Sequence, residues 1–526
     1  MRKVGAILLT LAIIAGLTIA SPVRGQSANT FIVASNIDDI ITLDPARAYE
    51  STNLTIHHAT YETLLEIKAD DLNKIVPGLA ESYTLSDDAL TYTFVLNKAA
   101  KFASGNPVTA ADVVWSWTRL KNVKGGPSFY YTDSGITSVE AVDDQTVKVV
   151  LSAEYPAFAT VVTAPAMSII DSKVAMEHGA TDAEDAETTD TAKEWFDQNS
   201  AGSGPFVLTG WKPNSEVTLV RNANYWKTAP ALESVTLKAS NDAASAFQLV
   251  SRGDADVAQN IDADTAKQAE GNADLTKNIG QSLNLLYMAI SPSDYFKLPI
   301  SDVKVRQAIA YAIDYDGIVN GLAGGYASRP AAMLPIGILG SDGSGRYERD
   351  VEKAKALLKE AGQENGFEIT LTIGGGVTAG VPREVLAAKL QADLAEVGIT
   401  VKIDQQTSTN FLTAFRAQEL PMVISSWTPD YLDGTMWSDY FSKPDSGVSK
   451  RIRMDIPAIL EAAQKGGKER DEAKRVAAYA EYQKAHVDAA VFIPLLQEQY
   501  IDLLRSNIKG YTFHPVYFMD FSTVSK

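Results

Sequence analysis

Residues 367–403 read FEITLTIGGGVTAGVPREVLAAKLQADLAEVGITVKI, and this stretch decides the fold class. Its two ends are short runs rich in β-branched side chains, which is typical of strands. Between them a helix is predicted over residues 384–397, because Leu386, Leu390 and Leu394 fall on one stripe. Two strands that are joined by a helix lie parallel in one sheet. The stretch therefore predicts an α/β fold with a partly parallel sheet.

The sequence around this unit predicts more than one domain. The chain has 526 residues, which is too long for one ordinary core. Residues 90–96 alternate as a strand does, and Thr109 with Asp112 forms a capping-box variant that opens a helix. The chain ends in predicted strands over residues 491–496 and 500–504. If these strands return to the first domain, the chain crosses twice between the two domains, or lobes. Two such crossings can act as a hinge.

The N-terminus has the layout of a secretory signal. Arg2 and Lys3 precede an uncharged run over residues 4–20, and small and polar residues follow up to Ala28. This order predicts a signal peptide over residues 1–28 and an exported, soluble protein that is periplasmic or extracellular. An uncleaved membrane anchor is the alternative. The sequence has no cysteine, which excludes disulfides, thiol catalysis and a lipid-bearing N-terminal Cys.

Composition and motifs exclude several classes of function. The 47 Lys and Arg stand against 65 Asp and Glu, so the net charge of −18 disfavours nucleic acid as a partner. His57 and His58 are adjacent and do not face the same way on a helix, so no metal site is predicted. Glycines at 374–376 imitate a dinucleotide fingerprint, but Pro382 and a long loop place the helix too far away. We therefore expect no cofactor, no metal and no catalytic residue.

Several longer blocks carry a family likeness. They follow one another as TLDPARA at 42–48, LTYTFVLNKAAKFASGNPVTAADVVWS at 90–116, GSGPFVLTGWKPNSEVTLVRNANYW at 202–226, VRQAIAYAID at 305–314 and WTPDYLD at 427–433. In this order they resemble the family 5 extracellular solute-binding proteins of ABC transporters. That family includes the dipeptide- and oligopeptide-binding proteins.

The resemblance implies a two-lobed periplasmic-binding-protein fold of type II, in the large class that has an extra subdomain. A two-strand hinge would join the lobes. The first lobe would comprise residues 29–280 and 491–526, with a subdomain inserted at about 75–199, and the second lobe residues 281–490. The implied function is that of the substrate-binding component of an ABC importer. As a monomer it would capture a peptide in the cleft and deliver it to the permease subunits, without any bond chemistry.

The segment SWTPDYLD at 426–433 holds the main candidate site residues. In the peptide-binding members an Asp at the position of Asp430 pairs with the ligand ammonium, since a buried charge needs a partner. Trp427 would form an apolar wall, with Thr428 and Tyr431 beside it. Taken alone, Pro429 and Asp430 are also ordinary turn residues.

Other candidates come from the rest of the predicted cleft. Ser35 and Asn36 follow the first strand and could bond to a ligand backbone. Tyr130 lies on a Gly-Pro loop where family members place an aromatic side chain, and Trp437 with Tyr440 would line the far side. Each of these side chains could equally well serve only in packing.

One departure from the family pattern bears on the ligand. Dipeptide-binding members place an Arg for the ligand carboxylate before the helix at 384–397, where this chain has GGGVTAGVP and Arg383 is the nearest cation. An oligopeptide is therefore expected rather than a strict dipeptide. The alternatives are an oligosaccharide, a metal chelate or an amine-bearing small molecule in the same fold, or a secreted hydrolase, for which no nucleophile is identifiable.

Overall fold

The structure is a computed structural model that describes residues 29–240, 242–341, 343, 345–445 and 447–526. The predicted signal peptide lies outside the described residues. Strands β1 to β21 are, in chain order, Thr30–Ser35, Leu65–Ile67, Ile75–Pro77, Ala80–Leu85, Thr91–Leu96, Ile136–Ala141, Thr146–Leu151, Phe206–Lys212, Glu216–Arg221, Ser234–Ala239, Val257–Ala258, Leu275–Ile290, Ala327–Ser328, Phe367–Ile373, Val377–Thr378, Val381–Pro382, Ile399–Gln405, Met422–Trp427, Phe492–Arg505, Phe513–His514 and Phe518–Met519.

The α-helices lie between these strands. Helices α1 to α17 are, in chain order, Ser51–Thr60, Ala110–Val123, Phe129–Thr132, Phe158–Val161, Ser172–Glu177, Ala186–Thr189, Lys193–Phe196, Ala243–Arg252, Ala263–Gln268, Val303–Ala312, Val351–Glu360, Arg383–Ala395, Ser408–Arg416, Thr435–Ser438, Gly447–Arg451, Pro457–Lys468 and Glu472–Ala489. Among the described residues, no helix is both long and apolar enough to cross a bilayer.

The predicted strand–helix–strand unit is confirmed. Strands β14 and β17 pair in parallel along their whole length, and α12 connects them. Strand β14 also pairs in parallel with β18. The carboxyl ends of these strands therefore meet at one edge of the sheet, which is the edge where open α/β sheets bind ligands. Trp427 ends β18 at this edge, and the loop that carries Asp430 follows it.

One large sheet runs through both lobes, and two long strands carry the chain between them. Strands β12 and β19 are antiparallel neighbours in this sheet, with β18 and β14 on one side and β11, β1 and β10 on the other. Their pairing shifts register between Gln281 and Leu285, so the ladder is interrupted in its middle. This is the two-lobed fold with a two-strand hinge that the resemblance implied.

The first lobe contains the smaller subdomain. Strands β4, β5, β7 and β6 form an antiparallel sheet, and α2 packs against β6 and β7. Helix α2 begins with the predicted capping box, in which Thr109 and Asp112 each bond to the backbone of the other. The last residues of the chain return to the first lobe, where Phe521 and Val524 pack in one core with Phe31. The lobe boundaries at residues 280 and 490 stay predictions.

Candidate functional site

Asp430 lies where the two lobes meet. Its carboxylate Oδ1 accepts a hydrogen bond of 2.6 Å from the hydroxyl of Tyr49, which precedes α1 in the first lobe. Its backbone carbonyl accepts a bond of 2.9 Å from the hydroxyl of Tyr130, in α3 of the subdomain. The loop after β18 is therefore held by tyrosines from the opposite side of the cleft.

Aromatic rings surround this carboxylate. Tyr49 meets Phe129 edge to face with ring centres 5.5 Å apart, and Phe129 stacks on Tyr130 at 4.4 Å. On the second lobe, Tyr440 lies 5.0 Å from Trp427, centre to centre. Burial and then the charge of Asp430 raise the pKa of Tyr49, so this hydroxyl stays protonated and remains a donor. A carboxylate that is shielded from water attracts a cation. This site suits an ammonium group and is here called the Asp430 cage, which consists of Asp430, Tyr49, Phe129, Tyr130, Trp427 and Tyr440.

Asp430 is a desolvated charge that lacks a counter-ion within the described part of the chain. Burial raises the pKa of its carboxyl to about 6, and the hydrogen bond from Tyr49 opposes this shift without cancelling it. Within the same residues Oδ1 receives the Tyr49 bond and Oδ2 receives none. An unpaired carboxylate in a medium of low dielectric constant destabilises the protein. A cation from a ligand would therefore remove a free-energy cost that the ligand-free protein already has.

Five of the predicted site residues come together here. Asp430 and Tyr130 are bonded to each other, and Trp427 is half-buried against Tyr440. Thr428 is exposed and donates a hydrogen bond of 3.3 Å to the side-chain oxygen of Asn284 in β12. Tyr431 is buried, and its hydroxyl lies 2.9 Å from that of Tyr155 in the subdomain.

The other three predicted residues lie elsewhere. Trp437 is fully buried in the hydrophobic core, so it packs inside the lobe rather than lining the cleft. Ser35 ends β1 and is buried, and its hydroxyl has no hydrogen-bond partner among the described residues. Asn36 is exposed and accepts a bond of 2.8 Å from the backbone N–H of Asp38, which is local turn chemistry.

Sequence reasoning did not assign a role to Tyr49 or to Arg383. Tyr49 directly follows the TLDPARA block, and only its hydrogen bond to Asp430, 381 positions away, indicates a role for its side chain. Arg383 begins α12 and is 6% exposed, yet its Nη1 has no hydrogen-bond partner among the described residues. Burial lowers the pKa of Arg383 to about 10, while the charge of Glu498 opposes the shift. Residue spacing alone could not reveal this, because burial is a tertiary property.

The comparisons with known proteins agree on one family. The family described as bacterial extracellular solute-binding proteins, family 5 Middle, matches residues 74–448. A probable D,D-dipeptide-binding periplasmic protein of Escherichia coli K12 is 29% identical over 491 residues, which are 92% of each chain. The dipeptide-binding protein of the same organism is 30% identical and covers 88% of each chain.

A solved structure shows the same architecture. HbpA2 from Haemophilus parasuis superposes with a TM-score of 0.83 at 26% sequence identity. The match covers 94% of this chain and 99% of that one. The similarity therefore extends over both lobes and the subdomain.

Proposed function

The chain belongs to the bacterial extracellular solute-binding proteins of family 5, and from this premise we propose that its solute is a peptide with a free amino terminus. The peptide is captured between the lobes and handed to the permease subunits of an ABC importer. The proposal draws on the two relatives of Escherichia coli, whose names specify dipeptide ligands. In it the protein acts as a monomer and performs no bond chemistry.

The observation that carries the peptide proposal is the Asp430 cage. An α-ammonium group needs an anion when it leaves water, and Asp430 is a desolvated carboxylate with no cation beside it in the described residues. The free Oδ2 can accept from the ligand while Tyr49 keeps its bond to Oδ1. A neutral sugar would leave this charge unpaired.

The proposed length of the ligand rests on the charged side chains of the neighbouring loop at this edge of the sheet. The loop at 374–382, between β14 and α12, carries no cation that could clamp a nearby carboxylate. Arg383 follows this loop, but it is buried and the negative charge that acts on it is that of Glu498 within the protein. We therefore propose an oligopeptide, whose far end needs no clamp close to Asp430, rather than a strict dipeptide.

Export completes the proposal. The basic start and apolar run before residue 29 have the layout of a secretory signal. The relatives include a protein named as periplasmic. We propose that the mature protein works outside the cytoplasmic membrane after removal of this segment.

A thermal-shift panel tests the proposal. The protein is heated alone and with a tripeptide, a maltooligosaccharide or a nickel–histidine chelate. A ligand at 100 times its Kd raises the stability of the native state by about 2.7 kcal/mol, so a bound solute is readily seen. We expect the tripeptide to raise the melting temperature and the other two to leave it unchanged. A shift with the sugar or the chelate and with no peptide would overturn the peptide proposal.

A further inference from the structure

The subdomain reaches across to the second lobe through the loop that follows β7. This loop carries Glu154 and Tyr155. The hydroxyl of Tyr155 lies 2.9 Å from that of Tyr431. Oε2 of Glu154 lies 3.1 Å from Nη2 of Arg470, in the turn between α16 and α17. Two polar contacts therefore join the subdomain to the second lobe.

On the second lobe, both contacts are supported by the start of α17. The hydroxyl of Thr435 lies 3.5 Å from that of the buried Tyr431 and donates a bond of 2.9 Å to Asp433. The two oxygens of Asp433 accept bonds of 2.7 and 2.9 Å from Arg475. Arg475 belongs to α17, and Arg470 lies just before this helix. The two contacts therefore move with the second lobe as one unit.

The backbone holds the partners of these contacts in place before they meet. The carboxylate of Glu469 accepts bonds of 2.9 Å from the backbone N–H groups of Arg470 and Asp471, which fixes the turn. In the subdomain, the hydroxyl of Tyr92 in β5 donates a bond of 3.4 Å to the carbonyl of Tyr155. Groups that are already ordered lose little conformational entropy when they form a contact.

The surfaces around the two contacts stay open to water. A groove with a volume of about 290 Å³ lies between the subdomain and the second lobe, with room for several water molecules. The side chains of Glu154 and Arg470 are 53% and 44% exposed. Such groups bond to water when they separate, so each contact is worth little and breaks readily. This is the behaviour that a contact needs if it forms and breaks in every cycle of capture and release.

We infer that Glu154 and Tyr155 form a clasp with Arg470 and Tyr431, and that this clasp raises ligand affinity by stabilising the closed arrangement of the lobes. The inference rests on the proposed function, because the affinity in question is that for the captured peptide. Glu154, Tyr155 and Arg470 are thus positioning residues, which act on the ligand through the closure of the lobes.

The clasp works against the cost of closing an empty cleft. Closure places the Asp430 carboxylate in a desolvated site, which is unfavourable until a cation arrives. The clasp offsets part of this cost, so its loss lowers the fraction of protein that is closed. The apparent Kd rises by the factor by which the binding-competent fraction falls. The subdomain therefore contributes to affinity from outside the Asp430 cage.

A charge swap tests the inference by titration calorimetry with a tripeptide. Arg470→Glu places two carboxylates opposite each other, and it should weaken binding about threefold to tenfold. Combining it with Glu154→Arg restores an ion pair of reversed direction and should restore the affinity. Lys465→Glu is the matched control, because it reverses an exposed pair with Glu481 inside the second lobe, and it should leave the affinity unchanged.

A second variant tests the clasp without any change of charge. Tyr155→Phe removes one hydroxyl, and it should weaken the tripeptide several-fold. Stopped-flow kinetics should show faster dissociation and an unchanged association rate, because the contact forms only after the encounter. Denaturant unfolding of the ligand-free variants should match that of the unchanged protein, which separates the clasp from a merely structural role.

The outcomes distinguish the clasp from the proposed function. Unchanged affinity in both Arg470→Glu and Tyr155→Phe, or a swapped pair that does not restore binding, would overturn the inference. The proposed function would then still stand on the binding of the tripeptide. Failure of the tripeptide to bind to the unchanged protein would overturn both.

Discussion

At the scale of single residues, Asp430 lowers the stability of the ligand-free protein at neutral pH. Its pKa of about 6 lies above the value of about 3.9 that an unfolded chain gives. Between these two pH values the native state binds more protons than the unfolded state, so this group lowers the free energy of unfolding as the pH rises from about 4 to about 6. The loss then persists at neutral pH.

Asp430→Asn should therefore stabilise the ligand-free protein at pH 7 while it abolishes tight peptide binding. Removal of the desolvated charge is expected to raise the free energy of unfolding by about 1–3 kcal/mol. Denaturant unfolding of the free protein, with titration of a tripeptide alongside, measures both effects. Asp254→Asn, at an exposed pair with Arg252, is the control, and it should change neither peptide affinity nor stability by more than about 0.5 kcal/mol. A less stable Asn variant would show that the Asp430 carboxylate has a cationic partner in the native state.

The same carboxyl predicts how peptide affinity depends on pH. The ammonium binds to the ionised carboxylate, so the affinity should be highest near pH 7 and fall about tenfold for each pH unit well below 6. It should fall again above about pH 8, where the α-amino group of the peptide loses its proton. Titrations between pH 5 and pH 8 measure the profile, and the Asn variant should remove the inflection. A profile that is level across this range would contradict the assignment of the ammonium to Asp430.

The sequence located Asp430 and Trp427 but could not complete the cage. Trp437 and Tyr440 stand three positions apart in one aromatic segment, and nothing in their spacing tells which one faces the core. The structure buries Trp437 and places Tyr440 against Trp427. Tyr49 could not be found at all, because its partner lies in the other lobe.

At the scale of elements, the hinge strand β19 shows why boundaries are hard to predict. The sequence suggests two strands, since Gln497, Glu498 and Gln499 interrupt the apolar pattern. The structure has one strand through all three residues. Gln497 is fully buried, and its amide donates to the carbonyls of Ser282 and Ile336, at 2.7 and 2.8 Å. Polarity that is satisfied in this way is compatible with a central strand.

Helix α2 fastens the subdomain to the first lobe through a buried ion network. Arg119 has no exposed area, and it bonds to both oxygens of Asp44 at 2.8 Å and to Asp190 at 2.8 and 3.1 Å. Burial alone would raise the pKa of the Asp44 carboxyl, but the charge of Arg119 and its hydrogen bonds lower it. Asp44 belongs to the TLDPARA block, so this block has a structural role.

Arg119→Met should destabilise the protein by about 3 kcal/mol, because the buried Asp44 and Asp190 are left with the partly exposed Arg47 as their ion partner among the described residues. Denaturant unfolding at pH 7 measures the loss. Arg252→Met removes an arginine from an exposed pair with Asp254, and it should change stability by less than about 0.5 kcal/mol. Similar effects of the two substitutions would contradict the anchoring role of the network.

At the scale of the whole molecule, a few polar contacts join the lobes across the cleft. Besides the two bonds to Asp430, the hydroxyls of Tyr155 and Tyr431 lie 2.9 Å apart, and Arg470 pairs with Glu154 at 3.1 Å. Each of these groups can bond to water when the lobes separate, so the contacts can break and form again at a small difference in free energy. A ligand that supplies the missing cation at Asp430 would favour the closed arrangement.

Whole-molecule architecture was the most predictable level. The blocks that follow one another along the chain implied two lobes, a subdomain and a two-strand hinge. They could do so because they are spread over nearly the whole sequence, and the members of a family share one fold. The contacts that join the lobes could not be predicted, since they depend on how two surfaces meet.

The central claim is that the peptide is held by its amino terminus on Asp430, and acetylation of that terminus tests it most directly. Titration calorimetry at pH 7.5 compares a tripeptide with its Nα-acetyl form, which has the same side chains and no ammonium. The account predicts that acetylation weakens binding by at least about 100-fold, since the carboxylate is again left unpaired. Equal affinity of the two forms would contradict it.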